Sequence, residues 1–231
     1  TCLSTPDVVE SMLRQALEGA QPGDIFVDHS TIGVSDARRI AAMCAEKGVQ
    51  FIDAPVSGGP WGAEAGTLTI MCGGDRSAFE AVLPYLQIEG KQIHHLGPVG
   101  AGTVAKLCNN LLVGIHTAAM AEAFVLGTKA GLDPRALYEI ISGATGHSAQ
   151  IERNIPQFVF PGKFEAAFSI DHLHKDVALA VELGKDENVR MVLGALTQQL
   201  LEEARAAGHG GEDQAALIRP LEKLTGVEVR A

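Results

Sequence analysis

The segment GPVGAGTVAKLCNN, residues 97–110, divides the sequence into two parts with different predicted structures. Before this segment, short apolar runs alternate with amphipathic stretches, which predicts strands alternating with helices. After it, strand signals nearly vanish, and residues 103–130 are predicted to form one long helix that is apolar on most faces. We therefore predict an α/β part followed by an all-helical part, with the boundary at residues 97–102.

The first 53 residues alternate strand, helix, strand, helix and strand, which is typical of a parallel sheet covered by helices. Thr5 followed by Pro6 predicts the start of the first helix, because Thr caps a helix and Pro fits its first position. Residues 1–4 are predicted as the end of a strand, and buried strands are predicted over residues 25–28 and 49–53. The other predicted elements of this part are helices over 35–47 and 76–86 and strands over 67–72 and 92–96.

The second part is predicted to be helical throughout. Asp133 followed by Pro134 marks a new helix after the long one, because Asp caps the helix that Pro begins. Further helices are predicted over residues 152–158, 172–185, 189–207 and 213–224. We therefore assign residues 1–98 to one domain and residues 99–231 to a second, helical domain. The long helix 103–130 is part of the second domain and connects it to the first.

The charge balance argues against partners that carry many phosphates. The chain has 18 Lys and Arg against 28 Asp and Glu, a formal net charge of −10. No cluster of Lys and Arg stands out, whereas binding to nucleic acid or to an anionic membrane needs clustered positive charge. We therefore expect neither partner.

Cysteine and hydropathy patterns favour a cytoplasmic protein. The four cysteines form no C-x-x-C pair and have mostly apolar neighbours, which is typical of reduced, buried thiols. No secretory signal pattern is visible. His116 and Glu122 interrupt the longest apolar run, residues 111–126, so we predict a buried helix there and not a membrane span.

The segment Gly100-x-Gly102-x-x-Ala105 matches a dinucleotide-binding fingerprint, with Glu122 about 20 residues later. A nucleotide-binding βαβ unit, however, needs a second strand after the helix, with the acidic residue at the end of that strand. Here the predicted helix continues through Glu122. We therefore interpret the glycines as a flexible entry that lets the long helix approach the sheet closely.

Lys106 and Asn110 are the first candidates for chemistry. Their spacing of four residues places both side chains on one face of the long helix. The surrounding sequence is apolar, and a lysine in such surroundings is costly unless it has a partner or a function. A low dielectric lowers the pKa of a lysine, which makes it a usable proton donor and acceptor. The helix alone leaves two interpretations open, a catalytic lysine or a lysine that extends its amine to solvent.

Ser57-Gly58-Gly59 is the second candidate. Consecutive unhindered N–H groups and a hydroxyl can bind an anion, although a Ser-Gly-Gly segment is more often only a turn. Its combination with Lys106 favours the anion-binding interpretation. The histidine pairs within 172–174 and 94–95 lack a third ligand at suitable spacing, so we predict no metal site.

These residues resemble the β-hydroxyacid dehydrogenase family, which includes 3-hydroxyisobutyrate dehydrogenase, tartronate semialdehyde reductase and glyoxylate reductases. The resemblance covers nearly the whole chain. The segments that carry it are the substrate loop DAPVSGG at 53–59 with GAEAGTL at 62–68, the catalytic G-x-G-x-x-x-K-x-x-x-N segment at 100–110, Phe168 with Lys175-Asp176, and the cofactor loop at Ser30-Thr31.

The resemblance implies an incomplete Rossmann-like parallel sheet domain followed by a helical domain like the C-terminal domain of 6-phosphogluconate dehydrogenase. It implies an enzyme that interconverts a small β-hydroxy acid and its aldehyde or keto acid, with NAD or NADP as cofactor. The family roles fall on Lys106 as general acid/base, Asn110 as positioning group, Ser57, Gly58 and Gly59 at the substrate carboxylate, Phe168 and Asp176 at the substrate, and Leu3, Thr31 and Lys175 at the cofactor.

Members of this family begin with a βαβαβ unit, on the order of 60 residues, that carries the dinucleotide fingerprint. We find no such unit and expect the chain to lack its N-terminal nucleotide-binding half. A dehydrogenase, or the larger part of one, is then one hypothesis, and a truncated, non-catalytic dimerisation or binding module is the other. An imine reductase relative is a third, which Lys106 disfavours. We expect a homodimer or homotetramer through the long helix, because its apolar faces exceed what one small domain covers.

Overall fold

Strands occur only between residues 25 and 97 of the 231 residues that the computed structural model describes. They are β1 Ile25–Asp28, β2 Gln50–Asp53, β3 Val56–Ser57, β4 Leu68–Gly73 and β5 Gly90–Gly97. The helices among and after them are α1 Pro6–Gly19, α2 Val34–Ala45, α3 Gly59–Glu64, α4 Arg76–Glu89 and α5 Ala101–Lys129.

The rest of the chain is helical. Its elements are α6 Pro134–Ser142, α7 Ala149–Asn154 with a π-helical turn Ile155–Val159, α8 Ile170–Asp186, α9 Val192–Ala204 with a π-helical turn Arg205–His209, a 3₁₀ helix Gln214–Ile218, and α10 Arg219–Thr225. Contacts divide the chain into two compact units, Thr1–Asn109 and Asn110–Ala231, and α5 contains residues of both. The assignment of residues 1–98 and 99–231 to separate domains stays a prediction.

The sheet of the first unit is mixed. β1 and β2 are parallel, as predicted, with Phe26 opposite Phe51. β4 and β5 are also parallel to each other. However, β4 meets β2 antiparallel through the single pair Asp53–Gly73, so the second pair of strands runs against the first. The short strand β3, which the sequence did not predict, joins β4 through Ser57 opposite Thr69.

Both faces of this sheet are covered, because neighbouring residues of β2 point to opposite sides. Phe51 packs with α1 and α2 in one cluster around Leu13 and Ile40. Ile52 belongs to the other cluster, with Phe79 of α4. Burial on both faces is typical of a doubly covered α/β sheet, and it confirms the predicted fold class for this unit.

Helix α5 is long and apolar enough to cross a bilayer by length and composition alone, with a mean hydropathy of 1.5. A core helix of a soluble protein passes the same test. Met120 and Phe124 are fully buried in the core of the second unit, together with Leu173 of α8 and Leu201 of α9. In contrast, Leu126 on another side of α5 is 71% exposed.

Candidate active site

The Ser57-Gly58-Gly59 turn follows β3 and is fixed by glycine conformations. Gly58 has φ of 135° and Gly59 has φ of 65°, values that side-chain-bearing residues rarely adopt. A Cβ on Gly58 would also lie 3.0 Å from Leu68 Cδ2 of the adjacent strand. The turn is exposed beyond the half-buried Ser57. Its backbone can therefore offer N–H groups and the Ser57 hydroxyl to an anion.

The first turn of α5 is bound to the end of β2 by one carboxylate. Asp53 Oδ1 accepts a hydrogen bond from the Gly100 N–H at 2.8 Å. Asp53 Oδ2 accepts from the Thr103 N–H at 2.8 Å and from Thr103 Oγ1 at 3.0 Å. Asp53 is only 1% exposed, and this burial raises its pKa, while the three hydrogen bonds act in the opposite direction.

Gly102 allows this close approach. A Cβ at position 102 would lie 2.1 Å from the Met71 carbonyl oxygen and 2.8 Å from the Asp53 carbonyl oxygen. The helix also continues through Glu122 to Lys129 without a second strand. Both observations agree with the interpretation that these glycines serve helix packing and are not a dinucleotide fingerprint.

Lys106 lies in α5 one turn after Thr103 and is half-buried. Asn110 follows one turn later on the same helix and is 2% exposed. Its side-chain Nδ2 donates to Asp176 Oδ2 of α8 at 2.5 Å. The second carboxylate oxygen, Asp176 Oδ1, lies 3.1 Å from Lys175 Nζ. In the second unit, the structure thus brings Asn110, Lys175 and Asp176 together around one buried carboxylate.

Phe168 is held by a different set of contacts. Its N–H donates to Asp213 Oδ2 at 3.1 Å, and its carbonyl accepts from the Gln214 N–H at 2.9 Å. Its ring lies nearly parallel to the His172 ring, with centroids 6.3 Å apart. Asp213 is fully buried and is also paired with Arg153 at 2.7 Å. These contacts fix the backbone at Phe168, and they involve none of the other predicted site residues.

The predicted cofactor residues of the first unit lie at the carboxyl end of β1. Residues 1–3 run alongside β1, and the Leu3 N–H donates to Ser30 Oγ at 2.7 Å. Ser30 Oγ donates to Asp28 Oδ1 at 2.6 Å, and Asp28 Oδ2 is buried with no hydrogen-bond partner. Thr31 follows on the same loop and is half-buried. Dinucleotides bind beyond the carboxyl ends of parallel strands, so the place of Leu3 and Thr31 agrees with their predicted cofactor role, which stays a prediction.

Sequence reasoning missed the buried carboxylates of Asp53 and Asp213 and the backbone groups that they bind. Asp53 is part of the quoted loop, but its partners Gly100 and Thr103 lie about 50 positions away, so no local pattern reveals the contact. The available signal was an acidic residue at the end of the buried strand β2, whose carboxylate must find hydrogen-bonding partners.

Two family models match consecutive parts of the chain. The NAD-binding domain of 6-phosphogluconate dehydrogenase matches residues 1–97, and the NAD-binding domain of NADP-dependent 3-hydroxyisobutyrate dehydrogenase matches residues 100–221. These matches do not support the expectation that the nucleotide-binding half is lacking.

Named relatives agree with the family models. 2-(Hydroxymethyl)glutarate dehydrogenase of Eubacterium barkeri is 43% identical over 99% of this chain and 77% of the relative. The structure of Mycobacterium tuberculosis 3-hydroxyisobutyrate dehydrogenase with L-serine has 37% identity and a TM-score of 0.86, over 96% of this chain and 78% of that one. Psf3 in complex with NADP+ and 2-OPP has 25% identity and a TM-score of 0.85, over 95% of this chain and 78% of that one.

A relative at 43% identity over nearly the whole chain, a close structural match and two dinucleotide-binding family models all point the same way. The fold, a Rossmann-like sheet unit followed by a helical unit, agrees with them. This chain therefore belongs to the β-hydroxyacid dehydrogenase family of oxidoreductases, which use NAD or NADP.

Proposed function

We propose that this protein interconverts a small β-hydroxy acid and the corresponding aldehyde or keto acid, in the manner of 3-hydroxyisobutyrate dehydrogenase. The observation that carries the proposal is a half-buried lysine one turn after the anchored start of α5, in the same compact unit as the Ser57-Gly58-Gly59 turn. The names of the relatives, and the L-serine bound by one of them, support a small 3-hydroxy acid as substrate.

Lys106 is the proposed general acid/base. In the oxidation direction, its neutral amine takes the proton of the substrate hydroxyl, and in the reduction direction its ammonium returns that proton. NAD or NADP, when bound, supplies the acceptor or donor of the hydride.

The remaining residues bind and orient. Ser57, Gly58 and Gly59 are proposed to hold the substrate carboxylate through N–H groups and a hydroxyl. In the second unit, Asn110 orients the reacting groups, supported by its hydrogen bond to Asp176.

Further assignments follow the family resemblance. Phe168 and Asp176 are assigned to the substrate, and Leu3, Thr31 and Lys175 to the cofactor. By the same reasoning, residues 1–98 are proposed as the dinucleotide domain and residues 99–231 as the substrate and dimerisation domain, in a cytoplasmic protein.

The Lys106→Ala variant of the complete gene product tests this function. We expect kcat for the preferred hydroxy acid to fall at least about 100-fold, because a positioned acid/base contributes about 10²–10⁴-fold. Binding of NADH and NADPH, followed by fluorescence titration, should change little. Lys129→Ala is a matched control on the same helix. Lys129 Nζ donates at the protein surface to the carbonyl oxygen of Thr225, the last residue of α10. Equal losses of turnover and cofactor binding in Lys106→Ala would mean that the lysine is structural.

A non-catalytic dimerisation module is the second candidate, favoured by the apolar surface of the second unit. Leu112 and Leu126 of α5 are 53% and 71% exposed, and Leu193 and Leu196 of α9 are 61% and 56% exposed. We propose that these side chains are covered in a homodimer or homotetramer in either case. Light scattering at micromolar concentration should show an oligomer, and a monomer would contradict it. Failure of the complete gene product to bind NADH or NADPH would favour the module over the enzyme.

A further inference from the structure

We propose that Asp53 is a positioning residue, whose buried carboxylate fixes the start of α5 to the end of β2 and so sets the place of Lys106 relative to the Ser57 turn. This inference rests on the proposed role of Lys106 as acid/base. Asp53 itself is assigned no contact with substrate or cofactor.

The carboxylate replaces a missing local cap. The first N–H groups of a helix have no partner within the helix, and a Ser, Thr, Asp or Asn at the preceding position usually supplies one. Here the residue before α5 is Gly100, which has no side chain and has φ of 94°. Asp53 supplies the cap from another element, because it accepts from the N–H groups of both Gly100 and Thr103.

Asp53 is held rigidly on the other side. It is the last residue of β2, paired with Asp28 of β1 and with Gly73 of β4. Because neighbouring strands hold Asp53 on both sides, its carboxylate has a fixed position. The start of α5, which is bound to that carboxylate, is therefore placed by the sheet.

The same residue begins the substrate loop. Only four residues separate it from the Gly58-Gly59 turn, and this connection is fixed by the hydrogen bond from the Met71 N–H to the Pro55 carbonyl at 3.0 Å and by the pairing of Ser57 with Thr69. Lys106 lies one helical turn after Thr103. Asp53 thus joins the two elements whose separation decides whether the amine reaches the substrate oxygen.

Asp53→Asn tests the inference because it keeps the size but removes one acceptor. Its amide NH₂ group would face an N–H donor of Gly100 or Thr103, and one hydrogen bond would be lost. A displacement of about 1 Å of a catalytic group costs about 100-fold in rate. We expect kcat to fall about 10- to 100-fold, while KM for the hydroxy acid and Kd for NADH or NADPH stay within about threefold.

A second pair of variants keeps the test valid if Asp53→Asn folds poorly. Thr103→Val removes only the hydroxyl hydrogen bond and should lower kcat by a smaller factor, whereas Thr103→Ser retains that bond and should keep the wild-type kcat. Glu222→Gln is the matched control, since it removes a buried carboxylate that accepts from the Val229 N–H and pairs with Arg230. It should lower thermal stability without lowering kcat.

Amide hydrogen exchange separates this inference from the proposed function. In Asp53→Asn, a peptide over residues 97–106 should exchange about tenfold faster than in the wild type, because the loss of one hydrogen bond to a charged group is comparable to the about 1.4 kcal/mol that equals a tenfold change. If the wild type oxidises no hydroxy acid, the proposed function fails, and the exchange rates still decide whether Asp53 holds the helix start. Wild-type kcat and exchange in Asp53→Asn, or equal losses of kcat in Thr103→Val and Thr103→Ser, would overturn the role of Asp53.

Discussion

Replacement of Gly102 by Ala is the most direct test of how α5 is seated. The added Cβ would lie 2.1 Å from the Met71 carbonyl oxygen, whereas a relaxed carbon–oxygen contact is about 3.3 Å. The first turn of α5 must therefore move by about 1 Å, or β4 must yield by the same amount. Such overpacking costs about 1–3 kcal/mol of the free energy of unfolding. Ala gains back about 1 kcal/mol in helix propensity relative to Gly.

Activity should respond more than stability. The net loss in the free energy of unfolding is then about 0–2 kcal/mol, which leaves the protein folded. A shift of about 1 Å in the position of Lys106, however, costs about 100-fold in rate. We expect Gly102→Ala to be folded and cofactor-binding but about 100-fold lower in kcat.

Steady-state kinetics and urea unfolding on the complete gene product measure the two effects side by side. Gly19→Ala is the matched control, because a Cβ there meets no atom within 4 Å. Gly19→Ala should leave kcat unchanged and should not lower the free energy of unfolding. Wild-type kcat in Gly102→Ala would refute the reasoning, since it would mean that the close approach of α5 to β4 has no part in placing Lys106. If Gly102→Ala does not fold, the added Cβ costs more free energy of unfolding than the about 0–2 kcal/mol expected here, and the reasoning is wrong as well.

Two further predictions concern titratable groups. Burial raises the pKa of Cys44 to about 11 and of Cys72 to about 12, so a thiol reagent should label neither residue in the folded protein and both in denaturant, as checked by mass spectrometry. Hydrogen bonds from two arginines lower the pKa of Glu10 below its ordinary 4.5. The wild type should therefore exceed Glu10→Gln in the free energy of unfolding by at most about 1 kcal/mol near neutral pH. That difference should vanish as the pH falls through the folded-state pKa, and a difference that persists in acid would contradict the assignment.

Local signals predicted the regular elements well. β1 occupies Ile25–Asp28 as predicted, and α1 begins at Pro6 with the Thr5 hydroxyl accepting from the Val8 N–H. The long helix begins at Ala101, two residues earlier than predicted, because the cap that Asp53 supplies lets it form directly after Gly100. These elements were predictable because apolar periodicity and helix caps depend on residues that are close together in the sequence.

Elements set by distant contacts were not predictable. The helix α3 has six residues, too few for a periodic signal, and it occupies a segment expected to be loop. The segment predicted as one helix over 213–224 is a 3₁₀ helix followed by α10. Pro220, which lacks an N–H, lies in the first turn of α10, a position that Pro tolerates. The antiparallel meeting of β2 with β4 depends on one pair, Asp53–Gly73, that no local pattern encodes.

The candidate site shows the same division. Lys106, Asn110 and the Ser57 turn were visible as residue types in an unusual setting, whereas the pairing of Asn110 with Asp176 joins residues 66 positions apart. Sequence could name these residues through a family resemblance. It could not say that the amide of Asn110 and the amine of Lys175 share one carboxylate.

The start of α5 is where local preference and global structure disagree most. Gly102 weakens the first turn of the helix by about 1 kcal/mol relative to Ala, and Gly100 offers no side chain to cap it. Gly73 opposite them leaves room for the Asp53 carboxylate, since a Cβ there would lie 2.5 Å from Asp53 Oδ1. A chain selected only for helix stability would have used a local cap and alanines. Here the helix start lacks these stabilising features and lies close to the sheet edge instead. Proteins retain such conflicts between local preference and overall structure at functional sites, and this helix start lies one turn before Lys106.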